Sequence, residues 1–119
     1  MNTEELRFYG IDAEKGAARF FNDEGIYRSM LEMFLKDTSF QRTKAAYECG
    51  DYDALFRNAH ELKGVSGNAA MPELFEATGK LVETLRSGKA DPTDVDAAFT
   101  PVEQAFLRAK EGVELALGK

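Results

Sequence analysis

From Val95 to Val113 the apolar residues Val95, Phe99, Val102, Phe106, Ala109 and Val113 recur at alternating spacings of four and three. Successive residues of an α-helix turn by about 100°, so this spacing draws one continuous apolar stripe along a helix, whereas a strand would split the same residues between two faces. The stripe runs straight through Pro101, which predicts one kinked helix. A break at Thr100, the residue sterically biased by the proline, is the competing expectation.

The rest of the chain has helical periodicity too. Asn22 or Asp23 can cap a helix running without proline to about Glu48, with a wide apolar arc of Ile26, Tyr27, Met30, Leu31, Met33 and Phe34 continued by Phe40 and Tyr47. A methionine and aromatic stripe of this kind reads as core rather than as a cofactor pocket. Gly50 and Asp51 end that helix and cap the next, from Tyr52 to Asn68. Pro72 suits the first turn of another, bearing Leu74, Ala77, Leu81 and Leu85 and stopped by Gly88. Upstream, Met1 to Gly10 read as a lead-in, Asp12 caps a short helix from Ala13 to Phe20, and Phe20 with Phe21 cover one end of the core. The tail from Ala116 to Lys119 is expected to fray. No strand-like alternation persists. The expected fold is all-α, an up-and-down four-helix bundle with a short extra N-terminal helix, in a single domain over residues 1–119.

Charge and cysteine content narrow the function classes. A net charge of −6 argues against nucleic acid, whose phosphates select basic surfaces. No apolar run approaches membrane-span length, so no membrane role is expected. The lone Cys49 cannot form an internal disulfide, and the residues after Met1 lack a basic, apolar signal-peptide pattern, so the expected compartment is the cytoplasm. One histidine and no clustered cysteines leave only scattered carboxylates for a metal, a Ser or Cys hydrolase would need a second base, and no strand-preceded glycine loop is present for ATP.

The stretch from Phe56 to Ala70 holds that histidine, His60. On a helix Lys63, Gly64 and Gly67 share its face, with Phe56 and Arg57 one turn earlier; Leu55, Ala59, Leu62, Ser66 and Ala69 share the opposite, buried face. Each helix-interior glycine costs roughly 1 kcal/mol relative to alanine, which calls for a reason. Clearance around the imidazole supplies one, since a partner's active site could then come close while Lys63 offers positive charge to an anionic group on the ring. Close helix packing is the alternative for both glycines, and their angular position beside His60 disfavours it. Glu61 lies about 100° round the helix and reads as solvated.

His60, Leu62, Lys63, Gly64, Ser66 and Asn68 resemble the motif of the histidine-containing phosphotransfer (HPt) domain family, His-x-Leu-Lys-Gly followed by small residues and an asparagine. The chain departs at Val65, where a small residue is frequent, and at Ala70, where a glycine is usual. The resemblance extends over nearly the whole chain through Gly10-Ile11-Asp12, Tyr27, Leu31, Phe34 and Gly50-Asp51-Tyr52. It implies a four-helix phosphocarrier without its own ATP site. His60 would be the phosphoacceptor, at Nε2, and Lys63 the stabiliser of phosphoryl charge. Phe56, Arg57, Gly64, Gly67 and Asn68, with apolar residues of the first long helix alongside, would form the docking face. It further implies response-regulator receiver domains as partners, with Mg²⁺ held by the receiver and no cofactor on this chain, a hybrid histidine kinase as another partner, and a monomer.

Three other readings compete. The run Ala59-His60-Glu61-Leu62-Lys63 also resembles the phosphorylated helix of sensor histidine kinases, but that motif continues into Thr or Asn and then Pro, where this chain has Gly64-Val65. The phosphoacceptor domain of a chemotaxis-type kinase shares the chemistry. A helical interaction module without chemistry needs only the bundle and its acidic surface.

Overall fold

Helix starts in this chain are set by short acidic and amide side chains. In the computed structural model, which describes residues 2–119, the side chains of Asn2, Asp12, Asp23, Asp51 and Asp91 each accept a hydrogen bond from a backbone N–H two or three residues on. Those N–H groups have no partner inside the helix, so each cap offsets a cost of folding and fixes where the helix begins. Among the described residues there are seven helices and no strands: α1 Thr3–Phe8, α2 Ala13–Arg19, α3 Glu24–Lys36, α4 Ser39–Cys49, α5 Tyr52–Asn68, α6 Pro72–Arg86 and α7 Pro92–Leu117. Helices α4 to α7 form the four-helix bundle, joined by short turns. Gly50 closes α4 in the left-handed conformation at φ 72°, and Pro72 and Pro92 open α6 and α7.

Two expectations about the N-terminal half are corrected. The lead-in is itself helical from Thr3, because Asn2 caps it; Met1 lies outside the described residues. The single helix expected from about residue 23 to 48 is two. Asp37 takes an extended backbone at the end of α3 (φ −66°, ψ 141°), and its carboxylate accepts hydrogen bonds from both the backbone N–H and the hydroxyl of Ser39, which starts α4. The extra N-terminal structure is therefore two short helices and α3, not one short helix.

The core lies between α4, α5, α6 and α7 and is filled from both directions. Phe40 of α4 stacks on Phe106 at 4.0 Å between centroids, Tyr47 stacks on Phe99 at 4.0 Å, and Phe34 of α3 tilts against Phe106 at 5.6 Å. Leu55, Leu62, Leu81, Val82, Val95, Val102 and Val113 are fully buried around them. Helix α7 continues through Pro101 without a break. The tail expected to fray is helical as far as Leu117, where Arg28 donates to the carbonyls of Ala116 and Leu117 and the Leu117 side chain is buried.

The apolar arc on α3 splits into two faces. Tyr27, Leu31 and Phe34 are buried, while Ile26 and Met33 are exposed and Met30 is half-buried. Two residues of a stripe expected to be core, Ile26 and Met33, are therefore open to solvent. Phe20 packs on the core as expected, but Phe21 is 96% exposed and covers nothing.

Tyr27 ties this N-terminal half to the end of α5. Its hydroxyl donates to the carbonyl of Ala69 at 2.8 Å, and burial pushes its pKa well above the ordinary tyrosine value, so it stays a donor. Asp12 N–H donates to the carbonyl of Ala70 at 2.8 Å, and Arg19 donates to that of Gly67. Ala70 takes φ 57°, the left-handed conformation that its glycine alternative would adopt freely, at a cost of roughly 1–2 kcal/mol. The Tyr27 ring rests on Gly16, where a Cβ would lie 2.2 Å from Cε1. Alanine at 16 would gain about 1 kcal/mol of helix propensity but would overpack a ring that its hydrogen bond pins, at about 1–3 kcal/mol. We expect Gly16→Ala to lower stability on balance, by up to about 2 kcal/mol, measured by chemical denaturation; a more stable variant would show that the ring can move.

Candidate functional site

The site is built on α5, whose two sides face different environments. Leu55, Ala59, Leu62 and Ser66 are buried along one side, as is Ala69 just past its end, and Ser66 Oγ donates to the carbonyl of Lys63 at 2.8 Å instead of remaining unpaired in the core. Arg57, His60, Glu61, Gly64 and Asn68 are exposed on the other side. The imidazole of His60 stands in solvent with the Phe56 ring one turn earlier at 6.4 Å between centroids. Phe56 is half-buried, packed against the core, with the Arg86 guanidinium 5.8 Å from its centroid.

The two expected clearance glycines behave differently. A Cβ at Gly64 would meet nothing within 4 Å, so the helix surface one turn after His60 is bare. At Gly67 it would lie 3.2 Å from Cδ2 and Cε2 of Phe75. Gly67 is therefore a seat for an α6 aromatic ring, the close-packing alternative, and not open clearance. Angular position alone could not show this, because α6 overlaps that end of the face.

Lys63 is half-buried and turned toward α6. Its Nζ lies 5.3 Å from the Phe75 ring centroid, and its Cε is 3.7 Å from where a Cβ of Gly79 would be. Its ammonium is thus held over an aromatic face as a cation–π pair.

Glu61 is not merely solvated. Arg42 of α4 donates to both its carboxylate oxygens, at 2.7 and 2.9 Å, and also to Asn58 Oδ1 at 2.8 Å, while its Nε reaches Thr38 Oγ1 at 3.2 Å. These hydrogen bonds hold the Glu61 carboxyl below the usual carboxylate range and raise Arg42. The guanidinium thus offsets the negative charge of the carboxylate that follows His60 in sequence.

Two surfaces flank the histidine face. On one side Met30 and Met33 of α3 form a shallow groove with Val65, Asn68 and Ala69. On the other, Lys15, Arg19, Gly67, Asn68 and Phe75 line a wider concavity at the end of α5. Asn68 borders both. Of the residues expected to form one face, His60, Gly64 and Asn68 lie open together, Arg57 is exposed on the preceding turn, and Phe56 and Gly67 are partly covered by α6 neighbours. Arg42 and Phe75 carry no signal for the site in the sequence, whereas Met30 and Met33 belong to the apolar residues of the first long helix expected alongside the docking face, without being singled out there. The methionines carried a signal, because the apolar arc of α3 is wider than one buried face requires.

Among the described residues no group of three His, Cys, Asp or Glu could hold a metal ion, and no helix is long and apolar enough to cross a membrane. The sequence model of the Hpt domain matches the chain over residues 29–115. No curated protein and no solved structure matches it. The match begins inside α3 and ends inside α7, so it takes in the bundle and the whole histidine helix but leaves out α1 and α2. This protein belongs to the Hpt domain family, whose members serve histidine phosphotransfer in phosphorelays.

Proposed function

We propose that His60 is the phosphoacceptor of this domain and exchanges a phosphoryl group with the aspartate of a receiver domain. The observation that carries the reading is the pairing of an exposed imidazole with the bare backbone at Gly64 one turn later. The neutral ring attacks phosphorus through Nε2; the N–P bond forms as the P–O bond to the aspartate breaks, and the aspartate leaves as a carboxylate. Reversal passes the group on. Such transfer depends on in-line positioning and on charge stabilisation rather than on covalent work by the protein. The receiver brings the acidic cluster and Mg²⁺, and this chain brings the histidine and the Lys63 ammonium. The domain is a carrier, with no ATP site of its own.

Docking uses the open strip of α5, Arg57, His60, Gly64 and Asn68, together with the exposed side of α3. Ile26, Met30 and Met33 follow one another at helical spacing, and Met33 is 63% exposed beside the groove that Asn68 borders. Methionine suits a surface that must adapt to a partner, because its side chain is unbranched and polarisable.

Three expected outcomes test this. His60→Gln should keep the fold and lose all acid-labile phosphate after incubation with phosphorylated receiver domains; label retained at the wild-type level would exclude His60. Gly64→Leu should leave the thermal midpoint equal to wild type or a few degrees higher, since leucine is the better helix former and nothing crowds the site, yet slow transfer from a receiver by at least about tenfold through a steric block at the contact. Met33→Glu should also slow that transfer while leaving phosphorylation by phosphoramidate, a donor too small to need docking, at the wild-type rate. Equal loss with both donors would place Met33 in the structure of the site and not in docking.

A further inference from the structure

The Lys63 ammonium does not rest over the histidine turn. The ring it covers belongs to Phe75, and that ring is seated on Gly67, seven residues and so roughly 10 Å of helix beyond His60. One missing side chain builds the seat of this ring: Gly67 lets it lie 3.2 Å from where a Cβ would be, while the lysine stem passes Gly79 of α6 in ordinary contact, 3.7 Å from a Cβ there. Phe75 is 42% exposed, and the Lys63 ammonium lies 5.3 Å from its ring centroid.

We infer that Phe75 is a positioning residue that parks Lys63 away from the unphosphorylated imidazole, and that a phosphoryl group on His60 competes with the ring for the ammonium. The inference rests on the phosphoacceptor reading above. It follows from a balance of two interactions. A neutral imidazole gives an ammonium little to bind, so the aromatic face holds it. A phosphoryl group carries roughly two negative charges and makes a charge-assisted hydrogen bond that outweighs a half-exposed cation–π contact. The lysine then swings back by about two helical turns at its tip, which its four rotatable bonds and the open Gly64 surface allow. The parked state lowers the phosphorylated form's relative stability by whatever the ring contact is worth, so Phe75 sets how readily the phosphoryl group moves on.

The test is the equilibrium between phosphoramidate and phosphohistidine in buffered ammonium, read by phosphorus NMR, with the Lys63 ε-methylene protons followed in the same samples. Removing a partly exposed cation–π contact should shift that equilibrium by about two- to fivefold. We expect Phe75→Leu to shift it toward phosphohistidine by that factor, Phe75→Tyr to match wild type, and Lys63→Ala to shift it the other way. In the Lys63→Ala background, Phe75→Leu should do nothing, because the ring acts only through the lysine. The wild-type ε-methylene signals should be ring-shifted upfield before phosphorylation and not after it. Thermal melts of every variant report whether the bundle is intact. An unchanged equilibrium in Phe75→Leu, or an effect that survives in the Lys63→Ala background, overturns the parking role while leaving Lys63 in place. No effect of Lys63→Ala removes the lysine's role and the parking role together. Absence of phosphohistidine in the wild type would instead overturn the phosphoacceptor reading itself.

Discussion

The hydrogen bond from the buried Tyr27 hydroxyl to the carbonyl of Ala69 is the interaction on which the frame of the site depends. The last carbonyls of a helix have no partner within it, and at a buried end each unpaired one costs about 1–3 kcal/mol. Here the carbonyls of Val65, Ser66 and Gly67 accept from the N–H groups of Ala69, Met71 and Ala70, and the N-terminal segment adds Arg19 at Gly67, Tyr27 at the Ala69 carbonyl just past the helix and the Asp12 N–H at Ala70. These last three donors come from residues 12–27, a segment that would otherwise have little reason to lie against α5. Fixing that end of α5 fixes Asn68, and it holds α3 where Met30 and Met33 border the histidine face.

The consequence is a helix held at its far end and along its inner side but left open along the outer. On the α4 side, Arg42 grips Glu61 and Asn58 and so anchors the turn that carries His60. On the α6 side, Phe75 covers Gly67 and takes up Lys63. Between these two rows the histidine stands free. A rigid frame with one exposed reactive ring suits phosphoryl transfer, in which the geometry of approach sets most of the rate.

Helix α5 was readable to the residue, because its start and the turn beyond it carry strong signals: Asp51 after the left-handed Gly50, and Pro72 beyond the turn. The division of the first long helix was not, since no glycine or proline marks it. The signal there was subtler. Asp37-Thr38-Ser39 is a run of cap formers, and the aspartate satisfies the new helix start with its own carboxylate. Asn2 with Glu5 three residues on is likewise a helix-start pattern that reads as mere lead-in when the helix is only six residues long. The Phe75 contacts were beyond reach, because they depend on how α6 crosses α5 and no single-helix projection contains that information. For the same reason Gly64 and Gly67 looked alike.

The helix-interior glycines, taken together, separate packing from function. Gly16 makes room for Tyr27, Gly112 for Tyr9, and Gly67 for Phe75, where an added Cβ would lie 2.2, 2.5 and 3.2 Å from the ring or its Cβ. In each case the lost helix propensity, roughly 1 kcal/mol, is offset by aromatic burial that alanine would obstruct. Gly79 lies in ordinary contact with the Lys63 stem. Gly64 has nothing within 4 Å and an ordinary helical position, so no contact inside the molecule compensates for it. A cost of that size without an internal return, one turn from the only histidine in the chain, points to a reason outside the chain. A surface that must come within bonding distance of the imidazole is such a reason, and it would be felt most by the residue whose side chain would stand in its path.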